Sequence, residues 1–178
     1  MSKLLLSASI ISALFFITTS HAALSNELKA HVHGQAQLML AVEHDKIDFK
    51  LISPAESLLG FEHQPTTLLE FKKIADVKQL LEVHSNIFQF NGSDCQIQAL
   101  NIDTSQIMNN GRHQHAHAHK DIIVNYQLKC HRSIEATSVT LKLFKHFPTL
   151  KNINAMWITP SNQGAEQLNT KNTTLMLY

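Results

Sequence analysis

Histidines are the residues of this chain best suited to chemistry: there are twelve in 178 residues, and they are grouped rather than scattered. The densest group is His113-Gln114-His115-Ala116-His117-Ala118-His119, preceded by Asn109-Asn110-Gly111-Arg112 and followed by Asp121. In extended form all four imidazoles share one face, and in a pliable loop several can wrap a single ion. Neutral imidazole suits zinc, copper and nickel. A solubilising or pH-sensitive loop is the plain alternative, but no packing role asks for four alternating histidines.

A second group is His31-Val32-His33-Gly34. On a strand, residues i and i+2 lie on one face about 6.6 Å apart. Two such imidazoles can converge on one ion with Zn–N bonds of about 2.1 Å. Gly34 lets the backbone bend or come close. Two solvated histidines at a strand start are the bland alternative. A third group is Gly60-Phe61-Glu62-His63, shortly before Pro65. Glu62 and His63 are both ligand types, or Glu62 accepts a hydrogen bond from a ligating imidazole. The alternative is a turn whose acid favours the start of a helix. His44, His84, His131 and His146 are not expected as primary ligands. His44 reads as a solvated turn residue, His84 as a helix C-terminal cation, and His146 as a strand-end residue.

The elements that must hold these groups follow from hydrophobic period. Leu38, Leu40 and Val42 alternate, as do Ile47, Phe49 and Leu51, around a polar Glu43-His44-Asp45-Lys46 turn. This predicts a β-hairpin, ended at Ser53-Pro54-Ala55 because proline cannot donate to a ladder. Over residues 66–84 the period changes: Leu68, Phe71, Ile74, Val77 and Leu81 recur at three and four. That is an amphipathic helix, with Thr67 and Glu70 spaced as a capping box. Strands are expected at 87–90, 95–102, 121–130, 137–146, 153–159 and 173–178, with turns over 160–172. Residues 104–120 read as a polar, mobile His-rich loop unable to bury a core. The expected class is α+β, a mostly antiparallel, sandwich-like β-sheet with one main amphipathic helix.

Residues 1–22 have the form of a cleaved signal peptide: Lys3, the uncharged apolar run Leu4 to Thr18, then Ser20-His21-Ala22 with small residues flanking the cut. No later stretch looks able to cross a membrane. Residues 23–178 are then a single exported domain. Removing Lys3 leaves Lys+Arg equal to Asp+Glu at 14. No basic excess remains to neutralise nucleic acid, and no basic amphipathic helix remains for a membrane surface. Export also bears on Cys95 and Cys130, the two cysteines of the chain. An even pair in an oxidising compartment predicts a disulfide, contributing about 2–4 kcal/mol by closing its loop. A pair of zinc thiolates beside His131 is the alternative.

Taken in order, His31-x-His33-Gly34, Ser53-Pro54-Ala55, Gly60-Phe61-Glu62-His63, a cysteine, the His-rich run, Tyr126-x-x-x-Cys130, Leu143-Phe144 and Phe147-Pro148 resemble the ZrgA-type family of periplasmic zinc-uptake proteins of Gram-negative bacteria. The resemblance spans essentially the whole exported chain. It implies a periplasmic zinc-binding protein, with no enzymatic role, that assists an ABC-type zinc importer or its periplasmic binding protein. The implied zinc ligands are His31, His33, Glu62 and His63, together with His113, His115, His117 and His119. The loop here is short and poor in acidic residues, which implies a small zinc capacity. Two other functions fit the residues less well. A three-histidine hydrolase with Glu62 as base would need an oxyanion stabiliser, and the sequence has no H-E-x-x-H, nucleophile elbow or phosphate loop. A passive zinc, copper or nickel buffer would need no partner, and copper outcompetes zinc at most nitrogen sites.

Overall fold

A computed structural model describes residues 32–108, 120–131 and 138–178. The signal segment, His31 and the loop histidines 113–119 lie outside the described residues.

The predicted hairpin is present as β1 (Gln35–Glu43) and β2 (Lys46–Pro54), in register Leu40↔Phe49. His44 sits in its turn with φ 54, a left-handed position natural to a two-residue hairpin loop. Leu38, Leu40, Val42, Ile47, Phe49 and Leu51 are all buried, so the alternation did set the inner face. β4 (Cys95–Asp103) and β5 (Asp121–Cys130) add antiparallel to β2. On the other side β7 (Asn152–Ile158) runs parallel to β1, and β8 (Gln163–Asn169) closes the sheet. The large sheet therefore has the order β4-β5-β2-β1-β7-β8. A small antiparallel sheet has the order β3-β6-β9, from Phe88–Phe90, Ser138–Leu141 and Thr174–Met176. Among the described residues there are four α-helices and two sheets, and the class is α+β, mostly antiparallel.

The main helix, α2 (Leu68–Glu82), begins where the capping box places it. Thr67 Oγ1 accepts from Glu70 N at 3.3 Å, and Glu70 Oε2 accepts from Thr67 N at 3.0 Å. Its buried face is shorter than the period suggested. Ile74, Val77 and Leu81 are buried, but Leu68 is 88% and Phe71 45% exposed, so the first turn stands clear of the core. Tyr126 clamps the other end: its hydroxyl donates to Leu81 O at 2.5 Å. The Tyr126 ring meets Phe49 and Phe88 edge-on, and those two stack at 4.1 Å. Burial raises the Tyr126 hydroxyl's pKa, keeping it a donor. This cluster joins β2, β5, the small sheet and α2 in one core.

Pro54 ends β2 as expected, and it also stands at the N-cap of a short helix, α1 (Ala55–Leu59). Four other expectations need correction. Residues 137–146 are not one strand: Leu143 and Phe144 are both buried, which alternation forbids, and residues Leu143–His146 form the helical turn α4. Residues 160–172 contain β8, an edge strand with only Leu168 buried, so no alternation marks it. Gly164 of β8 lies under the Trp157 ring, where a Cβ would come within 2.8 Å. His84 follows the end of α2 as expected but is not favoured there as a cation. It begins a 3-10 turn (His84–Asn86), stacks on Phe88 at 5.6 Å, and burial lowers its pKa. In residues 104–120, Ser105–Met108 forms one more helical turn, α3.

Cys95 and Cys130 are register partners of β4 and β5 and form a disulfide, so they are not thiolate ligands in this structure. Among the described residues, no helix is long and apolar enough to cross a membrane.

Candidate metal centre

Gly34 of one histidine motif, Gly60 of another and Lys120, the residue after the third, all meet α1. The helix is only five residues long, yet its start, middle and end each hold one of these three residues. At its start, Ala55 N donates to Lys120 O at 2.8 Å. Lys120 is the first described residue after the His-rich run. In its middle, Ser57 Oγ accepts from Gly34 N at 3.0 Å within a buried contact. At its end, Gly60 adopts φ 86 and donates to Glu56 O at 2.8 Å. That left-handed C-cap turns the chain toward Phe61, Glu62 and His63.

His33 is not on a strand, because β1 begins only at Gln35. It lies in a turn closed by Gln35 N donating to Val32 O at 3.0 Å. Gly34 takes the third position with φ 76, where a side chain is disfavoured. Its carbonyl accepts from Lys151 N at 2.7 Å and Asn152 N at 3.0 Å. A Cβ there would lie 3.0 Å from Thr149 O, a backbone atom with little room to move. Gly34→Ala is therefore expected to destabilise the fold by about 2 kcal/mol, read as a lowered urea midpoint. An unchanged midpoint would contradict the claim that this turn is fixed.

With the turn held, His33 Nε2 lies 3.6 Å from Glu62 Oε2. Both side chains are partly exposed. Two ligands bound at about 2.1 Å with a tetrahedral angle stand about 3.4 Å apart, so this spacing suits one edge of a zinc site. Beside it is a cleft of about 390 Å³ lined by His33, Gly34, Glu56, Pro148, Thr149 and Lys151. Glu56 Oε2 is shut off from solvent and meets no hydrogen-bond donor among the described residues, a carboxylate oxygen suited to a cation. A larger cavity, of about 600 Å³, lies over the large sheet between Met39, Lys50, Asn125 and Met156; it has no histidine in its lining.

His63 turns the other way. Its Nδ1 lies 2.9 Å from Gln64 O, and its Nε2 lies 3.4 Å from Glu70 Oε1. Phe61 stacks on the ring at 5.1 Å. Glu70 is fixed by α2: its Oε2 accepts from Thr66 N at 2.7 Å and Thr67 N at 3.0 Å. Those backbone donors, Thr66 first, hold its carboxyl below the usual carboxylate range. The sequence reading set Glu62 and His63 together with His31 and His33, whereas the structure pairs His33 with Glu62 and His63 with Glu70. Glu70 was legible only as a cap; nothing in its spacing announced His63. Among the described residues, no three His, Cys, Asp or Glu side chains gather on one point. His31, His113, His115, His117 and His119 are not among the described residues.

A family model described as ZrgA family zinc uptake protein matches residues 30–177. No curated protein matches the chain.

Proposed function

Starting from a chain that belongs to the ZrgA family of zinc uptake proteins, we propose that it is an exported, periplasmic zinc-binding protein that captures zinc and assists its uptake by an ABC-type importer. Residues 1–22 are the cleaved signal, and residues 23–178 are one metal-binding domain. His31, His33, Glu62 and His63 act as the tighter-binding ligands. His113, His115, His117 and His119 act as a labile capture segment. The observation that carries this reading is the His33–Glu62 pair, set 3.6 Å apart, His33 in the turn before β1 and Glu62 just after the C-cap of α1. The exit of the His-rich run is hydrogen-bonded to the first residue of the same helix. Zinc is cargo here, so open and exchangeable coordination suits the task better than a closed structural cage.

Imidazole must be neutral to bind zinc, and it ordinarily takes up a proton near pH 6.5, which favours release in mild acid. The test is in the producing cell. Removing the gene is expected to reduce zinc content and growth under chelation, with recovery on added zinc or on return of the unaltered chain. Normal zinc content without the chain would count against a part in uptake.

A further inference from the structure

The geometry points to a second divalent-cation site, formed by His63 and Glu70 and separate from the His33–Glu62 pair. This inference rests on the zinc reading above and adds a ligand, Glu70, that the reading lacks. The case begins with the imidazole. Gln64 O is a carbonyl and can only accept, so the 2.9 Å contact requires the proton on Nδ1. In the neutral ring, Nε2 then carries a lone pair, and it faces carboxylate oxygen Glu70 Oε1 at 3.4 Å. Two acceptors facing each other call for a cation between them. A second proton on the ring meets that need, and so does a metal ion.

Three features favour the metal. The 3.4 Å separation is the edge expected of a tetrahedron with bonds of about 2.1 Å. A ligating histidine characteristically donates its other N–H to a carbonyl or carboxylate, which fixes tautomer and ring orientation; Gln64 O does this for His63. Glu70 is equally fixed, since Oε2 is engaged by the first turn of α2 and only Oε1 faces the ring. The His63 side chain is 60% exposed, leaving the rest of the coordination sphere open to water. Two protein ligands, one of them sharing its charge with a helix N-terminus, make a weak and fast-exchanging site.

The experiment uses the chain with His113, His115, His117 and His119 replaced by alanine, titrated with zinc alone and followed by imidazole nitrogen NMR. The expected result is a metal-bound shift at His63 Nε2 with Nδ1 still protonated. Glu70→Gln keeps an oxygen to accept from Thr66 and Thr67, so α2 keeps its start. In that variant the zinc concentration needed at His63 is expected to rise at least tenfold, while His33 responds as before. If His33 shifts and His63 does not, the pair is only an imidazolium–carboxylate contact and the inference fails. An unaltered His63 response in Glu70→Gln overturns the role of Glu70. If neither histidine responds, the second site and the assignment of His33 and His63 as zinc ligands are both overturned, and zinc binding by the unaltered chain then decides whether the zinc reading itself stands.

Discussion

Replacing Cys95 and Cys130 together by alanine is expected to lower the free energy of unfolding by about 3–4 kcal/mol. The disulfide closes a sequence separation of 35 residues, and a cross-link of that span removes much of the freedom of the unfolded chain. The covered segment explains the size of the effect. It holds β4, α3, residues 109–119 and β5, and β4 is an edge strand of the large sheet. Without the bond, β4 keeps its ladder to β5 but loses its covalent tie. For a domain of this size the melting temperature should fall on the order of 10 °C. Urea denaturation of the double variant, beside the parent with and without reductant, measures this. A loss under about 1 kcal/mol would mean that the native ladder alone holds β4.

The same variant separates structure from metal binding. Cys95 and Cys130 lie at the end of the sheet where Glu43 faces Lys46, and His33 lies beyond the opposite end of β1. Zinc binding at His33 should therefore survive the loss of the disulfide. Loss of zinc together with the cysteines would revive the thiolate alternative.

The parts of the fold that could be read along the chain are those set by local rules. Thr67 and Glu70 announced the start of α2, and the alternation of Leu38 to Leu51 announced the hairpin and its buried face. What escaped was set by neighbours distant in sequence. The parallel β1–β7 pair joins Gln35 to Asn152, a connection no local period encodes. β8 is polar because an edge strand buries one side chain, Leu168. α1 is too short for a helical period to emerge, and Pro54 masked it by doubling as a strand end and a helix start. The site divides along the same line. His33, Glu62 and His63 were visible as ligand types, but their partners depend on tertiary geometry. Gly60 aims the segment, Ser57 holds Gly34, and α2 brings Glu70 to His63.

That division leads to the second large effect. His33→Ala, with the His-rich run intact, is expected to weaken the tightest zinc binding on the order of 100-fold or more. Loss of a partner outside the coordination sphere already costs 10–100-fold in other metal sites, by roughly the same logic, and an imidazole ligand should cost at least as much. Glu62→Gln should follow it closely, because the amide keeps the shape and hydrogen-bonding reach of Glu62 but not its charge. Replacing His113, His115, His117 and His119 should do the opposite. The number of bound zinc ions falls while the tightest class remains, since Gly34, Ser57 and Gly60 hold the ordered pair independently of those four side chains. Calorimetric zinc titration of the three variants, with copper(II) and nickel as competitors, resolves the classes. If the four-histidine variant binds no zinc at all, the His33–Glu62 pair is an ordinary surface contact and metal binding belongs to residues 113–119 alone. If His33→Ala loses only the tightest class, the ordered pair is where captured zinc is held for transfer.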